Sequence, residues 1–246
     1  MKMLKGLLIY IWKLWFYFLT SLLVILIGLF WTFPFALSNK TFPLAYKGIR
    51  LWAILSFYGA GFRLDFEKNK KLDPKQPYIF ISNHTSLIDV LIMAIIHPDH
   101  PIVFVGKAEL ENVPIFGTIY KRICISVNRT DTTSKSRVFR LAKEKINLGN
   151  SLVIFPEGGI PDDRNLVLDE FKDGAISIAI ATKVPIVVYS IHGLKEMFPW
   201  SFENGYPGRV KVKLLDIIPT ENLSLRDKDS VKESIYQTIY QDLIHS

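Results

Sequence analysis

Hydrophobic positions along the chain fall into three patterns, and each predicts a different kind of element. Short apolar runs bounded by turn residues occur at Tyr78–Ser82, Ile102–Val105, Ile123–Val127, Ser151–Phe155 and Val184–Tyr189. They read as buried strands. Helical spacing is carried by Ile88–Ile96, by Val138, Leu141, Ala142 and Leu148, by the small-residue stretch Ile176–Ala181, and by Val231, Ile235 and Ile239. Strict alternation marks Gly61–Glu67 and Arg209–Leu214; the three cations of the latter predict an outer strand with one solvated or lipid-facing side. Strands alternating with helices predict an α/β fold, with a mixed, largely parallel sheet flanked by helices.

The amino-terminal part differs from everything after it. Positions 14–39 carry no charge, and Leu14–Phe33 is long enough to cross a bilayer. Lys2, Lys5 and Lys13 precede this run, and Trp12, Trp15, Trp31 and Phe33 lie near its ends, as in an interfacial aromatic belt. The run is too long for a cleaved signal, and Trp31-Thr32-Phe33-Pro34 lacks small cleavage-site residues. A second apolar stretch, Leu51–Phe62, is too short to span and suits an interfacial or a core helix. The expected organisation is a two-helix membrane anchor over 1–60 and a catalytic domain over 61–246. Anchoring the pair from the cytoplasmic side keeps that domain in the cytoplasm, at the cell inner membrane or a comparable surface.

Composition narrows the partners. The formal charge of +7 over 246 residues suits an anionic partner. The cations are scattered among apolar strands and form no recognition motif, which disfavours nucleic acid. A single cysteine, Cys124, excludes an internal disulfide and a cysteine-based metal cluster, and its apolar neighbours predict a small buried residue. His97 and His100, among prolines, read as a solvated loop rather than as ligands.

The chemistry gathers where strands end. Asn83-His84-Thr85-Ser86-Leu87-Ile88-Asp89 follows the run ending at Ser82, and Ser86 with Asp89 has the spacing of a capping box. His84 therefore falls in a strand-to-helix loop and Asp89 in the first helical turn, close enough for the carboxylate to reach the imidazole. Such a histidine is suited to take a proton from a hydroxyl, its carboxylate partner fixing the tautomer and supporting the imidazolium. Lys107 and Arg129 follow two further strands and are suited to a phosphate. Glu157 stands in the turn Pro156-Glu157-Gly158-Gly159, where it can accept from a substrate hydroxyl or orient a cation, and Lys172 comes on the next segment. No Gly-x-Ser-x-Gly elbow is present, which counts against a lipid hydrolase.

Taken together in order, these blocks resemble the glycerolipid acyltransferase family, most closely its 1-acylglycerol-3-phosphate acyltransferases. Asn83-His84-x4-Asp89 and Phe155-Pro156-Glu157-Gly158 are similar to the first and third signature blocks. Gly117 through Asn128-Arg129 resembles the second, Val184-Pro185-Ile186-Val187 the fourth, and Phe171-Lys172-x-Gly174-Ala175 an accompanying segment. Lys107, in Lys-Ala-Glu-Leu, matches a basic position implicated in acceptor binding.

The likeness covers roughly Gly61 to Asp216 and the hydrophobic helices before it. It implies acyl transfer from acyl-CoA or acyl-carrier protein to the free 2-hydroxyl of lysophosphatidate, giving phosphatidate. It also implies His84 as base with Asp89 as partner, and Lys107, Arg129, Glu157, Gly158 and Lys172 on the substrate side. No resident cofactor, metal or covalent acyl-enzyme is implied. Gly159 stands where the family usually has threonine, Ile160-Pro161-Asp162-Asp163 where Arg-Ser often follows, and Val188 where a second proline is common. These departures leave the reaction class intact and keep another lysolipid, such as a lyso-ornithine lipid, open as acceptor.

Overall fold

The computed structural model describes residues 2–128, 132–161, 163 and 165–245. Helix α1 (Lys2–Leu23) runs through wider π-helical turns (Val24–Thr32) into the single turn α2 (Phe33–Phe35). Helix α3 (Phe42–Gly59) then returns, with Pro43 in its first turn, where a missing N–H costs nothing. Four indole N–H groups stitch the pair together: Trp12 donates to Ala60 (2.8 Å), Trp15 to Gly59 (2.9 Å), Trp52 to Thr20 (3.2 Å) and Trp31 to Leu44 (3.1 Å). Partner numbers fall as donor positions rise, so the two helices are antiparallel. Leu4–Phe35 is long and apolar enough to cross a membrane, and Leu7, Leu14, Phe18, Leu26 and Phe30 are exposed on it.

Strand β1 (Arg63–Glu67) is followed by β2 (Ile79–Ser82), helix α4 (Ile88–Ile96) and β3 (Ile102–Lys107). A 3-10 turn (Ala108–Asn112) leads to α5 (Phe116–Ile123), β4 (Cys124–Val127), α6 (Thr132–Asn147) and β5 (Ser151–Ile154). Helix α7 (Gly174–Thr182), β6 (Ile186–Ile191), α8 (Leu194–Met197), β7 (Arg209–Ile218) and α9 (Lys228–Ile244) complete the chain. The strands form one sheet in the order β1-β7-β6-β2-β5-β3-β4. Strands β2 to β6 run parallel, while β7 is antiparallel to β6 and parallel to β1. The carboxyl ends of β2 to β6 consequently share one edge, where an α/β sheet places its ligands.

Both faces are covered. On one, Phe80, Val153 and Val187 pack with Tyr46, Ala53 and Phe57 of α3 and Ile88, Leu91 and Ile92 of α4. On the other, Ile79, Ile81 and Val188 meet Val138, Ala142, Ile176, Ala179, Ile235 and Ile239 from α6, α7 and α9. The second apolar stretch is therefore part of a core helix, longer than its uncharged segment because Arg50 is accommodated. Arg50 donates to the carbonyls of Ala94 (3.2 Å) and Ile95 (3.1 Å), satisfying the end of α4 where a cation also suits the helix dipole.

Two expectations change. Strand β7 is not an outer strand, because β1 covers its far side. Two of its three cations are paired, Lys211 with Glu67 (2.8 Å) and Lys213 with Asp242 of α9 (2.6 Å), while Arg209 is exposed. His97 and His100 are buried rather than solvated. His97 stacks on Phe80 with ring centres 3.7 Å apart, and burial lowers its pKa well below the ordinary range. Cys124 opens β4 only partly covered, though desolvation pushes its thiol pKa up.

Candidate active site

The turn after β2 is built around Asp89, whose carboxylate is fully buried in the first turn of α4. Its Oδ2 accepts from the backbone N–H of Thr85 (2.7 Å) and of Ser86 (2.8 Å), and lies 3.0 Å from His84 Nδ1. These two backbone donors precede the helix and would otherwise be orphaned. Half of the expected capping box is thus present: the carboxylate reaches back, while the Ser86 hydroxyl accepts from Ile88 N–H (3.3 Å) and donates to Phe198 (3.1 Å). With an anionic acceptor against Nδ1, the imidazole carries its proton there and presents Nε2 as a lone pair. The ring lies flat on Phe155, 4.0 Å away and tilted by 13°.

Glu157, from the turn after β5, holds the same loop from the other side. Its Oε1 accepts from His84 N–H (2.6 Å) and its Oε2 from Asp169 N–H (2.9 Å). Burial pushes its carboxyl pKa up to about 7, against the pull of those two donors. Gly158 adopts φ 81° in this turn, a conformation that suits glycine. On the β6 side, Asn83 makes a reciprocal pair with Ile191: its Nδ2 donates to the carbonyl and its Oδ1 accepts from the N–H, both at 2.8 Å.

The structure thus brings His84, Asp89, Glu157 and Gly158 together at one edge of the sheet. Lys107 ends β3, two strands from β2, with its side chain exposed. Lys172 is also exposed, and its backbone N–H donates to Pro156 (2.8 Å). Arg129, expected after β4, lies outside the described residues, as do Asp162 and Arg164. A cleft of about 310 Å³ opens beside the His84 turn, between the segments that follow β5 and β6, lined in part by Thr85, Glu157, Pro161, Lys195, Pro199 and Trp200. Sequence reasoning carried Asn83 and Phe155 only as members of the signature blocks, without a role, and did not find this cleft wall. The polar residue directly before His84 was a usable signal for Asn83; the aromatic, glycine-rich 198–208 stretch read only as a surface loop.

An α/β sheet with a carboxylate-held histidine at its carboxyl edge, beside a helix fit for a membrane, defines a class that comparison makes explicit. The family model described as Acyltransferase matches residues 63–192, more than half of the chain, and the chain belongs to that family. It is 24% identical over 196 residues to human 1-acyl-sn-glycerol-3-phosphate acyltransferase beta, covering 79% of this chain and 70% of that one. It is 29% identical over 189 residues to a probable 1-acyl-sn-glycerol-3-phosphate acyltransferase of Mycoplasma genitalium, covering 72% of this chain and 66% of that one. In fold it is similar to the crystal structure of the 1-acyl-sn-glycerophosphate (LPA) acyltransferase PlsC from Thermotoga maritima. The TM-score is 0.79 at 22% sequence identity, over 100% of this chain and 97% of the other.

Proposed function

We propose that the chain transfers an acyl group from acyl-CoA or acyl-carrier protein to the 2-hydroxyl of 1-acyl-sn-glycerol 3-phosphate, forming phosphatidate, with His84 as general base. The observation that carries this reading is the fixed imidazole: Nδ1 is held by Asp89, one face is covered by Phe155, and Nε2 is left for a substrate. The acceptor hydroxyl gives its proton to Nε2 as its oxygen attacks the thioester carbonyl carbon. The new C–O bond gives a tetrahedral oxyanion, whose collapse breaks the C–S bond. The departing thiolate takes the proton back from the imidazolium, which the Asp89 carboxylate supports meanwhile.

Lys107, Arg129 and Lys172 are assigned to the acceptor phosphate, and Gly158 to close backbone approach. Both Glu157 oxygens are engaged by backbone donors, so its assigned role is to hold the His84 loop beside the substrate. Residues 1–60 serve as the anchor, with α3 also covering one face of the sheet of the catalytic domain 61–246, placed on the cytoplasmic side of a membrane. The names of the relatives favour lysophosphatidate over a lyso-ornithine lipid. The test is acyl transfer by the purified protein from both donors to both lysolipids, with His84→Ala alongside. Turnover on lysophosphatidate that disappears in His84→Ala is expected. Undiminished turnover in that variant, or transfer to the ornithine lipid alone, would overturn the reading.

A further inference from the structure

Lys13 falls within the apolar helix Leu4–Phe35, yet it is only 1% exposed. Ionisable groups inside such helices are costly and persist where the fold uses them. Its Nζ donates to the backbone carbonyls of Pro199 and Ser201, both at 2.5 Å, and sits 4.9 Å from the Phe198 ring centre and 5.7 Å from that of Phe202. Four contacts, at Phe198, Pro199, Ser201 and Phe202, therefore clamp one short loop to α1. Gly205 closes the same loop: a Cβ there would meet Met197 O at 2.7 Å and the Lys13 Cε at 3.3 Å. Pro199 and Trp200, between the clamped positions, line the cleft beside Thr85 and Glu157. The carbonyl of Phe198 takes the hydroxyl of Ser86, in the turn that holds the base.

We propose that Lys13 is a positioning residue that carries the docking of the amino-terminal helix into the shape of the substrate cleft. The chain of contact runs from α1 through the 198–202 loop to the Trp200 wall and the Ser86 turn. The loop has no strand or long helix of its own; it is held to α1 by the rings of Trp12, Phe16 and Tyr17 on Phe198, by those of Tyr10 and Tyr17 on Phe202, and by the Lys13 donors. The cleft is then complete only when α1 is seated. This rests on the acyltransferase reading for its kinetic arm, and the wild-type assay tests that reading separately.

The test is Lys13→Met in the full chain, which keeps the length and apolar fit of the side chain but removes its donors. The expected result is a KM for lysophosphatidate raised about tenfold, with kcat within about threefold of wild type, because substrate placement rather than the base is disturbed. A loss of folded enzyme would instead lower apparent kcat at unchanged KM. In the Trp200→Ala background, Lys13→Met should add no further rise in KM, since the wall it positions is gone. Hydrogen exchange supplies an arm independent of activity: amides of 199–206 should exchange faster in Lys13→Met while those of β6 keep their protection. Unchanged KM and unchanged exchange in the loop would overturn the proposal. Should Lys13→Met fail to accumulate, Trp200→Ala alone, at an exposed position, must raise KM, and an unaltered KM there would equally overturn it.

Discussion

Asparagine in place of Asp89 separates what the carboxylate holds from what its charge does. Oδ2 makes all three hydrogen bonds, while the buried Oδ1 has no partner among the described residues. An amide oxygen placed at the Oδ2 position keeps the Thr85 and Ser86 donors and the Nδ1 proton. The amide nitrogen then replaces one unpartnered atom with another. Asp89→Asn should therefore change stability by about 1 kcal/mol or less, whereas Asp89→Ala strands two buried N–H groups at a cost of about 2–5 kcal/mol. What Asp89→Asn loses is the anion beside the imidazolium that forms during turnover. Unit charges about 4 Å apart at an effective dielectric of about 20 interact by about 4 kcal/mol. That converts to a kcat lower by about a thousandfold. The assay is acyl transfer at saturating donor and acceptor, beside denaturant unfolding of the same detergent-solubilised samples. A kcat within about threefold of wild type in a stably folded Asp89→Asn would refute the electrostatic role.

The remaining predictions concern the groups around this turn. Unfolded, Glu157 titrates near 4.5; folded, at about 7. Its raised value means the contribution to stability is complete below about pH 4.5 and lost as pH rises through 7, on the order of 3 kcal/mol. Glu157→Gln lacks that slope, so its unfolding free energy relative to wild type should improve between pH 5 and pH 8; a constant difference would contradict the assignment. Asn83→Ala leaves the buried Ile191 N–H and carbonyl unpaired and should lower stability by about 2–4 kcal/mol in denaturant melts; no change would show the pair to be dispensable. Gly117→Ala would put a Cβ 2.1 Å from the Glu111 carbonyl oxygen. The shift this forces in the turn after Lys107 should cost about 1–3 kcal/mol, read by the same melts, and an unaffected midpoint would refute the predicted clash.

The His84–Asp89 contact was legible because it is local: a buried run, a loop histidine and a first-turn carboxylate fix each other within a few positions. The five parallel strands were legible for a similar reason, since a strand covered on both faces must be continuously apolar. Strand β7 was misplaced because alternation records one wet side and says nothing about neighbours in the sheet. His97 and His100 read as wet because imidazole is polar, although a neutral ring packs against Phe80 as an aromatic. Lys13 looked like a flanking charge because its acceptors lie 186 and 188 positions away. The Asn83–Ile191 pair spans 108 positions, so a polar residue before His84 marked one end while nothing local marked its partner. The sequence pattern thus located the His84–Asp89 pair and missed the non-local walls around it.

The stacking of His84 on Phe155 bears on the order in which substrates meet. A ring tied at Nδ1, covered on one face and only 15% exposed cannot turn over without breaking both contacts. In the proposed transfer, one nitrogen is then both the port through which a proton enters and the port through which it leaves. The hydroxyl that surrenders the proton and the sulfur that receives it have to crowd the same edge of the ring during a single visit. Kinetics that require a ternary complex follow from this, with no proton released to the buffer between the two transfers.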